Sequence, residues 1–91
     1  MKLAEGYLVK EVAGSFVLIP VGQNVIDYRN ILSTNKTGDF ILGKLAEDIS
    51  NEELFSAVCL EYTAEEKEKE QVKQDLDEFL LKLREKNLLC E

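Results

Sequence analysis

The stretch "IDYRNILSTNKTGDFILGKL", residues 26 to 45, changes its pattern halfway along. Its first half carries Ile26, Tyr28, Ile31 and Leu32, as a strand would. Its second half carries Phe40, Ile41, Leu42 and Leu45 at helical spacing. Between them lies "STNKTGD", polar and turn-prone. A strand therefore ends here and a helix begins. Asn35 is placed to cap that helix, because its side chain can accept from a free backbone N–H of the first turn. The helix is expected from about Lys36 to Glu47. Gly38 and Gly43 weaken it by propensity, so both are read as marks of close packing.

Upstream of this switch the pattern is all strand. "YLVKEVA" (7 to 13) and "SFVLIP" (15 to 20) read as a hairpin, with Gly14 and either Ala13 or Ser15 making the turn. "VGQN" (21 to 24) is a second break, and a third strand falls within Val25 to Thr34, with "DYRN" as a bend or turn inside it. Downstream the pattern is all helix. Ser50 with Glu53 forms a capping box, and Ile49 with Leu54 a hydrophobic staple. The second helix then carries Leu54, Phe55, Val58 and Cys59, and ends near Tyr62. Thr63 with Glu66 looks like another capping box, opening a long helix towards Asn87. Val72, Leu76, Phe79, Leu80 and Leu83 form the apolar stripe of that helix. Asn87 suits a left-handed C-terminal position, after which Leu88 and Leu89 fold back or add a short strand. Strands followed by helices argue an α+β fold, and 91 residues allow one domain over 1–91.

Charge narrows the function. Residues 1 to 45 carry five basic and four acidic groups, net +1, whereas residues 46 to 91 carry six basic and fourteen acidic, net −8. Binding to phosphate backbones needs clustered Lys and Arg, so no nucleic-acid partner is expected. The chain has no His, which removes the commonest general base and metal ligand. No Walker A or dinucleotide loop occurs, and the acids fall mainly on solvent faces of helices. No catalytic residue, metal site or cofactor is expected. Cys59 and Cys90 read as reduced thiols. No run approaches the ~20 apolar residues of a membrane span, and a signal-peptide core is missing, so a cytoplasmic location without membrane contact is expected.

What remains is a binding module. A three-stranded sheet has two edges, and an edge can take an extended peptide as an added strand. The third strand leads directly into the helices. At an edge it would leave a groove, with the long third helix as the best candidate for the opposite wall.

The order of motifs from Tyr7 to Leu89 resembles the PqqD-like family, named for coenzyme PQQ synthesis protein D. The strand-to-helix junction is Thr34, Asn35, Lys36, Thr37 and Gly38; the second helix starts at Ser50 to Leu54 and closes on Tyr62. The last motif is Asp75, Leu76, Phe79, Leu80, Leu83, Asn87, Leu88 and Leu89. Departures are Thr34 where the family has Leu, Lys36 where it has Glu, and Asn87 where it has Gly. The resemblance implies a winged-helix-like domain with a three-stranded antiparallel sheet followed by three helices. It implies a RiPP recognition element, a non-catalytic adaptor that binds the leader of a ribosomal precursor peptide. Such a domain presents the peptide to a modifying enzyme, often a radical SAM protein. The leader would add to backbone groups of Asn30, Ile31, Leu32, Ser33 and Thr34. The helical wall would draw on Lys69, Val72, Lys73, Leu76 and Leu80. Plain core remains the alternative for Leu76 and Leu80, and pairing with neighbouring Glu the alternative for Lys69 and Lys73. Other readings of the whole chain are a nucleic-acid-binding winged helix, which the charge opposes, and a homodimer or larger scaffold paired through an open edge.

Overall fold

The computed structural model describes residues 1–21 and 32–91. The turn at Ala13 and Gly14 fixes the hairpin. Their φ values are 52° and 85°, so both lie in the left-handed region that a two-residue turn between antiparallel strands requires. It joins Tyr7–Val12 (β2) to Ser15–Pro20 (β3), with Val12 opposite Ser15 and Tyr7 opposite Pro20. Leu32–Thr34 (β4) pairs antiparallel with β3, with Thr34 opposite Phe16 and Leu32 opposite Leu18. The sheet order is β2-β3-β4. The rest of the expected third strand, with the bend at "DYRN", lies outside the described residues.

Asn35 caps the first helix as its side chain suggests: its Oδ1 accepts from the Gly38 N–H at 3.0 Å. The helix, α1, covers Lys36–Lys44 and stops short of Glu47. Of the two glycines in α1, only Gly38 marks close packing. A Cβ there would collide with the Thr34 side chain, 2.7 Å from both its Cβ and its Cγ2, whereas a Cβ at Gly43 would meet nothing within 4 Å.

The second helix, α2, covers Asn51–Glu61 and opens on the expected capping box. Glu53 N–H donates to Ser50 Oγ at 3.1 Å and Ser50 N–H donates to Glu53 Oε1 at 3.2 Å. The box expected at Thr63 and Glu66 is displaced. Thr63 instead takes φ 45° and turns the chain, and Glu65 N–H donates to Glu68 Oε1 at 3.2 Å while Glu68 N–H donates to the Glu65 carbonyl at 2.8 Å, around a single 3-10 turn, Glu66–Glu68. The long helix, α3, then runs Lys69–Glu85, and Asn87 takes the left-handed position at φ 58°.

A second, two-stranded sheet uses the short strand expected after Asn87 as one member; its partner at the start of the chain had no forecast in the sequence. Lys2–Leu3 (β1) pairs antiparallel with Leu89–Cys90 (β5). Backbone bonds tie β1 further into the fold: Leu3 N–H to the Leu45 carbonyl at 2.9 Å, and Ile49 N–H to the Met1 carbonyl at 2.9 Å. The Met1 amine donates to Asp48 Oδ1 at 2.7 Å.

The core sits between the inner face of the sheet and the helices. Leu18 and Leu32 come from the sheet, Ile41, Leu42 and Leu45 from α1 and its C-cap, and Leu54 and Val58 from α2. Leu76, Leu80 and Leu83 of α3, with Leu88 beyond it, complete the cluster. No buried polar side-chain atom among the described residues lacks a partner.

Candidate peptide groove

The β4 edge follows from the hairpin register. In an antiparallel pair, hydrogen-bonded and non-hydrogen-bonded residue pairs alternate. The two-residue turn makes Val12–Ser15 a bonded pair. Alternation then points Ser15, Val17 and Ile19 towards β2, and Phe16 and Leu18 towards β4. The 2.8 Å bond from Val21 N–H to the Gly6 carbonyl keeps the same phase at the far end of the hairpin. On β4, therefore, Leu32 and Thr34 spend their backbone groups on β3. Ser33, opposite Val17, directs its N–H and C=O away from the sheet. Among the described residues β4 is the end strand, so the N–H and C=O of Ser33 are not used by β3. Its side chain is exposed, while Leu32 anchors the strand in the core.

Beside the end of this strand lies a groove of about 360 Å³. Asn35, Thr37, Gly38 and Ile41 form its α1 wall. Val72, Asp75, Leu76 and Phe79 form the α3 wall, and Val58 and Tyr62 of α2 supply the remaining lining. Gly38 allows α1 to sit close on β4 here. Phe40 stands edge-on to Tyr62, with ring centroids 6.0 Å apart, and steadies the α2 side. The lining is mainly apolar, and Asp75 is the one charged side chain among the described residues in it. Gln71 Nε2 donates to Asp75 Oδ1 at 2.9 Å.

The residues named from sequence are distributed unevenly. Ser33 and Thr34 lie on the edge strand; Asn30 and Ile31 lie outside the described residues. Val72 and Leu76 line the groove. Leu80 is fully buried and belongs to the core, as the stripe alternative allowed. Lys69 faces the α2 side of α3, in a separate hollow with Phe55, Cys59 and Leu60, and its ammonium pairs with Glu66 at 3.2 Å. Lys73 faces the opposite flank of α3, with Asp77, Glu78 and Leu81. Helix geometry explains the split. At 100° per residue, Lys73 and Asp75 are 200° apart, so one groove wall cannot use both. Sequence reading named Asp75 and Phe79 in the last motif but did not assign them to the groove wall. Their signal was present: positions 72, 75, 76 and 79 are i, i+3, i+4 and i+7, a single stripe.

Among the described residues no cluster of three or more Cys, Asp or Glu could hold a metal ion. No described helix is long and apolar enough to cross a membrane. Cys59 is buried and Cys90 exposed, and neither is in a disulfide.

The family model for coenzyme PQQ synthesis protein D (PqqD) matches residues 16–89. The chain belongs to the PqqD family. No curated protein matches it. A solved structure, TbiB1 in complex with the TbiA(beta) leader peptide, is similar to it at 27% identity and a TM-score of 0.70. The match covers 98% of this chain and 94% of TbiB1. The α+β architecture of this PqqD-family chain, with its three-stranded antiparallel sheet and three helices, is thus the one its motif order implied.

Proposed function

We propose that this chain is a non-catalytic adaptor that binds the leader of a ribosomally made precursor peptide by strand addition. It then presents the peptide to a modifying enzyme, a radical SAM protein in the form the family resemblance implies. The observation that carries this reading is the end strand β4, whose outward backbone pair at Ser33 stands beside a groove walled by α3. The similar TbiB1 structure, which holds a leader peptide, supports it. A peptide paired with Ser33 would continue β4 outward and set its side chains, alternating along the strand, towards the groove. Val72 and Leu76 fit the wall of such a site; Lys69 and Lys73 would serve only a peptide that wraps beyond it. The acidic balance of residues 46 to 91 supports a protein or peptide partner over nucleic acid. The two free cysteines suit a reducing compartment such as the cytoplasm.

The test is titration with the leader encoded by the precursor gene beside this one, followed by amide NMR and calorimetry. Ser33 and Thr34 amides should shift. Ser33→Pro removes the outward donor while Leu32 and Thr34 keep their bonds to β3, and proline is tolerated on edge strands. Affinity should fall by about tenfold, the value of one hydrogen bond of ~1.4 kcal/mol, with thermal unfolding nearly unchanged. Equal binding by Ser33→Pro would refute strand addition at this edge. Light scattering during the same titration separates leader pairing from pairing of β4 with a second copy.

A further inference from the structure

Among the described residues that line the groove, most are apolar, Asn35, Thr37 and Tyr62 are polar and uncharged, and Asp75 carries a charge. Val72, Leu76 and Phe79 give the α3 wall its apolar surface, and Asp75 sets a carboxylate on the same wall. Gln71 holds one of its oxygens at 2.9 Å. No Lys or Arg is among the described residues that line the groove, and none of the ion pairs formed among the described residues includes Asp75. Lys69 is engaged with Glu66 and Lys73 is on the other flank. Among the described residues, therefore, no cation partners the carboxylate on the groove side. Beside apolar walls, where water screens less than in bulk, it favours a positive ligand group and repels a negative one. The net charge of −7 on the whole chain adds to that preference at long range.

We propose that Asp75 is the specificity-determining residue of the groove, and that the peptide it takes carries a Lys or Arg within two residues of a large apolar anchor. The anchor fills the space between Val58, Ile41 and Phe79, and the cation reaches the Asp75 carboxylate at the rim. This rests on the peptide-binding reading above. Residues two apart on an added strand lie on the same side, about 7 Å from each other, a span that a Lys or Arg side chain bridges. An acidic residue at that position would be rejected.

The experiment is selection of a displayed random library of 12-residue peptides on the whole immobilised chain, run in parallel on wild type, Asp75→Asn and Asp75→Lys. The wild-type pool should be enriched in Lys or Arg within two residues of a large apolar residue. The Asp75→Asn pool should keep the anchor and lose the basic bias, and the Asp75→Lys pool should gain Asp or Glu there. For one selected peptide, replacing the base with Gln should weaken binding roughly threefold to wild type, in line with exposed pairs, and leave Asp75→Asn unaffected. Raising salt should erase the difference. An apolar anchor without basic bias, a tyrosine in place of the base, or a bias that survives Asp75→Asn overturns the role of Asp75 and leaves peptide binding standing. No enrichment on wild type overturns both. Asp75 is exposed and Asn can keep the bond from Gln71, so matched thermal unfolding should confirm that the variants are folded.

Discussion

The two flanks of α3 have similar composition and different surroundings. On one flank Val72, Asp75 and Phe79 face α1 and α2 across the groove. On the other, Lys73, Asp77 and Leu81 face open solvent, and Leu81 is 52% exposed. Between them runs the spine of Leu76, Leu80 and Leu83, which is core. The difference shows that an apolar or charged residue becomes a site only when another element stands opposite it. Here that element is the start of α1, held close by Gly38.

The largest break in this comparison should come from the spine. Leu80→Ala removes a fully buried side chain and should cost about 2–5 kcal/mol, read as a lower urea midpoint, because the cavity is not refilled. Lys73→Ala, two turns earlier on the solvent flank, should change stability by less than ~0.5 kcal/mol. Peptide affinity should hold within twofold in that variant. A strong loss of binding on Lys73→Ala would move the peptide to the outer flank.

The next effect tests the wall across the groove. Gly38→Ala should destabilise by about 1–3 kcal/mol, since its Cβ would collide with Thr34 and force α1 from β4. Gly43→Ala, five residues on and open to solvent, should stabilise by ~0.5–1 kcal/mol through propensity alone. Equal urea midpoints for the two variants would mean that α1 does not depend on its contact with β4.

The smallest effect lies away from both flanks, where charged pairs tether the ends of the described fold. Asp48 accepts from the Met1 amine, and this bond holds its pKa below the usual carboxylate range. Glu91 is lowered likewise by its bonds from Arg84, Nη2 at 2.7 Å and Nε at 2.9 Å. A carboxylate lowered on folding adds stability above its unfolded pKa and loses it as pH falls through the folded one. A slight fall in Tm should therefore begin below about pH 4, the ordinary carboxylate range. Asp48→Asn should blunt it. Both groups are exposed, so the effect is small and weakens with salt.

Much of this was legible because it is local. The caps at Asn35 and Ser50, the turn at Ala13–Gly14 and the left-handed Asn87 each depend on residues within a few positions, so their chemistry is written in order. The Thr63–Glu66 pattern was equally local and still misled. A second pair two residues on, Glu65 and Glu68, supplies the side-chain acceptor at Glu68 instead, and the turn at Thr63 sets the chain there. Of the β1–β5 pair, a short strand after Asn87 was one of two readings, but β1 and the pairing itself could not be read. Two-residue strands from positions 2 and 90 carry no periodicity, and only the packing of Leu3 and Leu88 brings them together.

Sequence alone determined the strand-to-helix switch at residues 34 to 38, the order of elements, the acidic character that opposes nucleic acid, and membership in a recognisable family pattern. These rest on covalent neighbours, periodicity and net charge. Tertiary structure decided that β4 is the end strand among the described residues, that Ser33 turns its backbone pair outward, and that Asp75 and Phe79, not Lys69 and Lys73, face α1 across the groove. Those depend on the phase of a hairpin and the rotation of a helix against distant elements. The 100° step along α3 turns two residues of sequence into opposite sides of the molecule.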